Sequence, residues 1–214
     1  MAQHQPVERR TGRRGPAPAH TRAEIVAAAV AIADADGLAA VSMRAVATRL
    51  GTAAASLYRY LDSRADLLNL MADAVIGELP VVAPADDPFD VLVEIAEGLR
   101  LLFKRHTWLI EAAQNINDFG PNSLEYFERC LAAMVSLPAP ALAKLDVITM
   151  LPGIASVWAR PQPGGLAFAG IDWSAYPNLA AALAGAASGA QVAPDRVSDL
   201  FARTIRGLLR GLLT

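Results

Sequence analysis

The segment Ser42–Leu61 decides the fold, and it reads SMRAVATRLGTAAASLYRYL. Ser42 and Thr52 are both suited to cap a helix, because a hydroxyl can accept hydrogen bonds from amides that the first turn leaves unpaired. Gly51 separates the two short helices that result and suits the turn between them. The apolar residues that can hold the pair together are Val46, Leu50 and Leu57. Two short helices joined at a glycine predict a helix-turn-helix unit.

Helix signals on both sides of this pair complete a small N-terminal domain. Thr21 and Glu24 have the spacing of a capping box, in which each side chain satisfies an amide at the helix start. Apolar residues then repeat at helical spacing until Gly37. Ser63 begins a further helix in the same way. We therefore predict a three-helix helix-turn-helix domain over residues 20–66.

The larger remainder, residues 67–214, also carries helical patterns. Helices are predicted from Pro88 to about Lys104, around Trp108–Gln114, from Gly120 to Val135, from about Pro140 to Trp158, over Tyr176–Ala187 and from Pro194 onward. The last helix carries the clearest apolar stripe of the chain: Val197, Leu200, Phe201, Thr204, Ile205, Leu208, Leu209 and Leu212. No alternating strand pattern is present. The sequence therefore predicts an all-α protein in which a larger helical domain follows the first.

Composition excludes several classes of protein. The chain is 54% hydrophobic and 19% charged, which is apolar enough to fill a sizeable core and argues against a disordered chain. Cys130 is the single cysteine, so an intramolecular disulfide and a cysteine-cluster zinc site are excluded. Nucleophile–base pairs, glycine-rich phosphate loops and metal-ligand spacings are not found. We therefore expect no enzyme activity, no cofactor and no metal.

Membrane segments are not expected either. The best candidate for a membrane span, Ala139–Trp158, contains Lys144, Asp146 and Pro152. We therefore expect a cytoplasmic protein without membrane contacts.

Charge is distributed unevenly between the two predicted domains. Residues 1–66 carry nine arginines against six acidic residues, whereas the whole chain has a net charge of −2. Residues 1–19 read as a flexible basic arm, since they contain four arginines together with proline and glycine. A basic N-terminal part followed by an acidic remainder suggests a polyanionic partner for the N-terminal part alone.

The second helix of the predicted pair has an unusual surface for a helix that faces solvent. It presents the three alanines Ala53–Ala55, whose small size would let the helix approach base edges closely, and an alanine methyl can pack on a thymine methyl. Tyr58 and Tyr60 can donate hydrogen bonds to phosphate oxygens. Arg44 can reach a guanine edge or a phosphate. The alternative interpretation is an ordinary antiparallel helix pair with a solvated face.

Residues 21–70 resemble the N-terminal domain of the TetR family of bacterial transcriptional regulators. The matching segments are Ile25–Ala35, Gly37-Leu38, Ser42-Met43-Arg44, Val46-Ala47, Leu50-Gly51, Ala55–Tyr60, Arg64 and Asp66-Leu67-Leu68. The C-terminal part is similar to the tetracycline repressor branch through His106-Thr107-Trp108, Gly120-Pro121-Asn122, Tyr176–Leu179 and the last helix. Arg64 stands where the family often has lysine, and Ala53 and Ala54 are smaller than is usual there.

The resemblance implies a homodimer that binds a palindromic operator and is released by a small-molecule inducer. On that basis we assign base-edge contacts to Arg44, Ala54 and Ser56. We assign contacts with the DNA phosphate backbone, including its neutralisation by arginine, to Thr52, Tyr58, Arg59, Tyr60 and Arg64. Ala53 is expected to lie where the second helix of the pair comes closest to the DNA. The function expected is that of a transcriptional repressor. The alternatives are a helical enzyme and an interaction protein without specific DNA binding.

The resemblance also implies a dimer interface and a ligand pocket in the C-terminal domain. The dimer is expected to form through the predicted helix from about Pro140 to Trp158 and the last helix, with the contacts Val197, Phe201, Ile205, Leu208 and Leu212. The alternative is that this stripe packs inside its own subunit. Pocket candidates are Phe103, His106, Trp108, Asn115, Phe127, Cys130, Met134, Met150 and Trp158. Ordinary core packing is the competing interpretation for each of them, a helix cap for His106 and a small buried hydrophobe for Cys130.

Overall fold

The computed structural model describes residues 20–113, 118–160, 172–187 and 194–214. The helices within these ranges are α1 (Arg22–Asp36), α2 (Met43–Arg49), α3 (Ala54–Leu57), α4 (Arg64–Ile76), α5 (Pro88–Arg105), α6 (Leu109–Ala112), α7 (Pro121–Ala133), α8 (Ala141–Ala159), α9 (Pro177–Ala187) and α10 (Pro194–Leu213). Short 3₁₀ turns lie at Leu38–Ala40 and Trp173–Ala175. The predicted all-α fold is confirmed.

The predicted caps define the helix starts of the N-terminal domain. Thr21 and Glu24 form the full capping box of α1, and the hydroxyls of Ser42 and Ser63 accept hydrogen bonds at the starts of α2 and α4. Gly51 lies between α2 and α3 with a φ of 66°, a left-handed conformation that favours glycine. These local signals mark where each helix begins and where α2 gives way to α3.

The start of α3 differs from the sequence prediction. Thr52 was expected to cap this helix, but Ala53 occupies the cap position and no side chain caps it. The Thr52 hydroxyl instead lies 2.9 Å from the hydroxyl of Ser56, one turn further along. The turn is closed by the Thr52 amide, which donates to the carbonyl of Ala47 at 2.9 Å. The helix-turn-helix is thus held by its backbone and by the buried side chain of Leu57.

The C-terminal domain is built around α5. This helix packs against α7, α8 and α10, and α7 in turn packs against α4. The fully buried side chains Leu92 and Leu99 of α5 lie in the same core as Ile148 of α8 and Phe201 of α10. Because α4 starts at the helix-turn-helix and also packs on α7, it joins the two predicted domains.

The apolar stripe of α10 is partly buried within its own subunit and partly exposed to solvent. Phe201 and Ile205 are fully buried within their own subunit, whereas Leu208 and Leu212 are 39% and 43% exposed. Arg206 ion-pairs with Asp87 and Asp90 at the start of α5, which holds the inner row against the core. The prediction that Phe201 and Ile205 form dimer contacts is therefore wrong, because the subunit's own helices already cover them.

Helix α8 is long and apolar enough to cross a membrane by length and composition, which the sequence prediction did not allow. It nevertheless carries Lys144 and Asp146, and it packs on α5 and α10. The Lys144 ammonium group donates to the carbonyl of Met134 at 2.7 Å. Through these contacts α8 packs as part of the helical domain.

Candidate functional site

The helix-turn-helix presents a group of accessible side chains that we call the reading surface: Arg44, Ala53, Ala54, Tyr58 and Arg59. Arg44, Ala53 and Arg59 are exposed, and Ala54 is half-buried. Tyr58 is 56% exposed, which is a large exposure for an aromatic side chain. Small side chains at the helix start beside tyrosine and arginine suit close approach to a polyanion with hydrogen bonds to its phosphates.

Ser56 and Tyr60 are less available than predicted. The Ser56 hydroxyl lies 2.7 Å from the carbonyl of Ala53, to which it donates, and it also meets Thr52. Tyr60 is half-buried and packs against the hydrophobic core. Base contact by Ser56 and phosphate contact by Thr52 and Tyr60 remain predictions, and each would compete with bonds or packing inside the protein.

Arg64 holds the connection between α1 and α2. Its guanidinium group donates from Nε to the carbonyl of Val41 at 3.2 Å and from Nη2 to the carbonyl of Leu38 at 3.3 Å. Both carbonyls are far from Arg64 in the sequence. The sequence analysis predicted a phosphate contact for Arg64 and did not identify this role. Arg64 therefore fixes α4 to the loop that precedes α2, and its contact with phosphate stays a prediction.

A cavity of about 380 Å³, partly open to solvent, lies among α4, α5, α6, α7 and α8. Its apolar wall includes the two predicted candidates Phe103 and Phe127 together with Leu109, Ile110, Phe119, Ile148 and Pro152. Polar groups at the cavity are supplied by Asn69, Asp73, Asp118, Ser123, Thr149 and Ser156. Phe119 and Phe127 pack edge to face with centroids 5.4 Å apart. Apolar walls with a few polar groups are typical of sites for small organic molecules.

Most of the other pocket candidates lie elsewhere. Cys130, Met134 and Trp158 do not line this cavity, and Trp158 packs on Phe201, with ring centroids 5.6 Å apart. Met150 is 43% exposed on the outer side of α8. Asn115 lies outside the described residues, as does the side chain of Val197. Cys130, Met134, Met150 and Trp158 thus lie away from this cavity, because helical spacing alone does not show which face of a helix meets it, and their contact with a ligand stays a prediction.

Cys130 is a core residue. Its side chain is fully buried, and this burial raises the pKa of the Cys130 thiol to about 12. Burial also raises the pKa of the neighbouring Tyr126 phenol, whose hydroxyl donates to the carbonyl of Ile148 at 2.9 Å. A thiol with such a pKa stays protonated near neutrality, which agrees with the interpretation of Cys130 as a small buried hydrophobe.

His106 and Trp108 contact the N-terminal domain instead of the cavity. Nδ1 of His106 and the indole Nε1 of Trp108 both lie 2.7 Å from the same carboxylate oxygen of Asp34, near the end of α1. Both side chains are buried. Neither residue lines the cavity, and the polar groups of both are directed to a carboxylate of the N-terminal domain, so their contact with a ligand stays a prediction.

Asp73 is a structural residue beside the cavity that the sequence analysis missed. Its carboxylate is buried and accepts four hydrogen bonds from the start of α7, from the amide and side chain of both Asn122 and Ser123. Gly120 is required beside it, since a Cβ there would lie 2.3 Å from the carboxylate carbon. Asp73 thus caps α7 from another helix, and it borders the cavity.

Comparisons with known proteins agree with the resemblance in the sequence. The family described as "Bacterial regulatory proteins, tetR family" matches residues 25–71. The HTH-type transcriptional repressor DrrR1 of Streptomyces coeruleorubidus is 37% identical over 165 residues, covering 71% of this chain and 58% of that protein. The chain therefore spans less than two thirds of the length of this curated relative.

Solved structures extend the similarity to nearly the whole chain. The TetR family protein ActR of Streptomyces coelicolor, in complex with (S)-DNPA, is 30% identical with a TM-score of 0.75, covering 91% of this chain and 99% of that one. ActR in complex with actinorhodin is 29% identical with a TM-score of 0.74, covering 90% and 98%. With a matching helix-turn-helix and a matching helical domain behind it, the chain belongs to the TetR family of bacterial regulatory proteins.

Proposed function

We propose that this protein is a cytoplasmic transcriptional repressor that binds a palindromic operator as a homodimer and is released by a small organic ligand. The observation that carries the proposal is the presence, in one chain, of an exposed reading surface on a helix-turn-helix and a separate, largely apolar cavity. Family membership argues against the enzyme alternative. The alternative of an interaction protein without specific DNA binding is tested below.

The reading surface supports docking of α3 in the major groove. Its alanines allow close approach, Arg44 at the start of α2 reaches base edges, and Tyr58 and Arg59 lie at the other end of the short helix. One four-residue helix contacts few base pairs, so two copies are needed for specificity. Half-sites are then expected about 34–36 Å apart, one turn of the duplex.

A second copy of the chain is the proposed partner of α8 and α10. Leu142, Leu145 and Val157 of α8 are exposed, as are Leu200, Leu208 and Leu212 of α10. Met150 of α8 and Leu208 and Leu212 of α10 line a shallow groove where these two helices meet. Contiguous exposed apolar surface of this kind marks an interface. The remaining predicted contacts Leu208 and Leu212 fit this arrangement.

The cavity supports a largely apolar ring compound as the ligand. Aromatic side chains can stack on such a compound. The hydroxyls of Thr149 and Ser156 donate to carbonyls of their own helix α8, so they can serve a ligand as hydrogen-bond acceptors. ActR, whose fold this chain shares, has been solved with (S)-DNPA and with actinorhodin. Asp73 borders the cavity, but its carboxylate already accepts hydrogen bonds from Asn122 and Ser123. It therefore lines the cavity without being a free acceptor for a ligand.

Binding to DNA from upstream of the protein's own gene tests the proposal. We expect a specific complex in fluorescence anisotropy, with an affinity that falls steeply as salt increases, because each neutralised phosphate contributes about −0.9 to the logarithmic slope. Scrambled DNA of the same length and composition is the control. Equal affinity for both duplexes, or no complex at low salt, would favour the interaction-protein alternative.

Substitutions at Arg44 and Tyr58 are expected to act differently on operator binding. Arg44→Lys keeps the charge but loses the bidentate geometry that reads a guanine, so discrimination at one base position should fall by about 1–3 kcal/mol. Tyr58→Phe should weaken all sequences alike by about 0.5–1.5 kcal/mol and leave the salt slope unchanged, since a neutral hydroxyl is lost. Selection from a randomised operator pool measures the change in base preference, and fluorescence anisotropy across a salt series measures the uniform loss. Unchanged base preference in Arg44→Lys would remove Arg44 from base reading.

A further inference from the structure

A second hollow lies on another side of the C-terminal domain, and we call it the outer groove. It is open to solvent, has a volume of about 480 Å³, and is bordered by α5, by α7 and by the connector 77–87 between α4 and α5. Its lining shares no residue with that of the cavity described above. Helix α7 separates the two, since it contributes Arg129 and Ala132 to the groove but Tyr126 and Phe127 to the cavity. The groove is thus a separate place that is large enough for a small molecule.

The apolar lining of the outer groove is aliphatic. Its members include Val82 of the connector, Val91 and Ile95 of α5, and Ala132 and Ala133 of α7. Among the described residues that line the groove there is no aromatic side chain, whereas the cavity carries several phenylalanines. Aliphatic walls gain free energy by covering methylene groups but offer no ring for stacking. The lining therefore favours an alkyl chain over an aromatic compound.

Arg129 of α7 places a fixed guanidinium group at the groove. Its Nη1 donates to the carbonyl of Pro80 at 3.2 Å, which holds the group against the connector. Its Nε is buried and has no hydrogen-bond partner within the part of the chain that the structure describes. A buried donor without an acceptor costs free energy, which a ligand acceptor at this position would recover. Because Nη1 is the nitrogen that is engaged, the edge formed by Nε and Nη2 is left to take a carboxylate through two parallel hydrogen bonds.

The carboxylate of Glu125 lies near this donor but does not satisfy it. Its Oε1 is 3.9 Å from Nε of Arg129, which is too long for a hydrogen bond. The Glu125 side chain is 65% exposed, so it can turn toward solvent and leave the guanidinium edge to another carboxylate. Asp86, exposed on the connector, is the other acidic residue of the lining. Both acidic side chains oppose an anion, so its binding depends on Arg129.

We propose that the outer groove is a second small-molecule site, which binds a medium-length aliphatic carboxylate with its carboxylate on Arg129 and its alkyl chain along Val82, Val91 and Ile95. The buried donor of Arg129 selects the acidic group, and the aliphatic lining selects the chain. This site goes beyond the function proposed above and does not depend on it. Its ligand differs from that of the cavity in charge and in shape, so both sites can be occupied in the same molecule.

Calorimetric titration of the full-length protein with sodium octanoate tests the proposal without DNA. We expect octanoate to bind at least about 10-fold more tightly than 1-octanol, which has the same chain but no carboxylate to pair with a guanidinium group. Hexanoate should bind about 5- to 15-fold more weakly than octanoate, since two methylene groups fewer are covered. No binding of octanoate, or equal affinity for octanoate and 1-octanol, would overturn the proposal.

Substitutions at the acidic and basic groups test the placement of the carboxylate. Arg129→Gln should weaken octanoate binding at least about 10-fold and leave the affinity for 1-octanol within about 3-fold, because a charge-assisted contact is lost and the apolar lining is kept. Glu125→Gln should tighten octanoate binding about 2- to 5-fold, because a like charge is removed. A gain in affinity cannot result from misfolding. Glu128→Gln is the matched control, an exposed acidic residue of α7 outside the groove lining, and it should change nothing.

Two filling variants distinguish the groove from the cavity. Ala132 is exposed and lines the groove, so Ala132→Trp should block octanoate binding without disturbing the core. Gly153 lines the cavity, and a Cβ built there meets nothing within 4 Å, so Gly153→Phe fills the cavity and should leave octanoate binding unchanged. The reverse result would place octanoate in the cavity and overturn the proposal, as would unchanged affinity in Arg129→Gln. If the protein binds no operator, the proposed function fails, whereas the titrations still decide for or against the second site.

Discussion

Replacing Leu208 and Leu212 together with glutamate is expected to convert the protein to monomers and to weaken operator binding by more than about 100-fold. Both residues lie on the exposed side of α10, beside the apolar outer side of α8. Two facing pairs of carboxylates in an apolar interface would be desolvated without partners, which costs several kcal/mol. A monomer contacts one half-site, and each lost 1.4 kcal/mol is a tenfold change in affinity.

Sedimentation velocity gives the oligomeric state, and anisotropy on the palindromic duplex gives the affinity. The matched control is Val81→Glu with Val135→Glu, since both valines are highly exposed and lie beside one groove away from α8 and α10. The control should remain dimeric and keep its affinity within about 3-fold, as surface substitutions usually cost little. A dimer that survives the leucine substitutions would place the interface on another surface.

Features that depend on neighbouring residues could be predicted from the sequence. The caps at Thr21, Ser42 and Ser63 were identified correctly because each hydroxyl bonds an amide three residues away. The start of α3 was not, because Thr52 meets Ser56 and leaves Ala53 at the cap position. The residue type alone does not show whether a threonine hydroxyl bonds a backbone amide or a neighbouring hydroxyl.

The candidate site was predicted less completely, because its decisive contacts join distant parts of the chain. Asp34 and Trp108 are 74 residues apart, and Asp73 and Ser123 are 50 residues apart. His106 and Trp108 were predicted as pocket candidates, and their contact with Asp34 could not be read from the sequence. Helical spacing likewise placed Phe201 and Leu208 on one stripe, although one is buried in its own subunit and the other is exposed.

Asp73→Ala is expected to lower the free energy of unfolding by about 3–5 kcal/mol, because several polar groups lose one buried acceptor together. The carboxylate accepts from the amides of Asn122 and Ser123 at 3.3 and 2.8 Å and from their side chains at 3.1 and 2.8 Å. These amides open α7, whose cap residue Gly120 has no side chain to serve them. A negative charge at a helix start is also favoured by the helix dipole.

Urea unfolding followed by circular dichroism, at one fixed protein concentration, measures this loss. Asp73→Asn should cost less, about 1–3 kcal/mol, because it keeps one acceptor oxygen but turns a donor toward the donors of Asn122. Gly120→Ala should also destabilise, since its methyl group would displace the carboxylate. Asp118→Ala is the control, an exposed carboxylate of the same segment that should stay within about 0.5 kcal/mol of the wild type. If Asp73→Ala unfolded within 1 kcal/mol of the wild type, α7 would be held by its apolar contacts, and Asp73 would not tie it to α4.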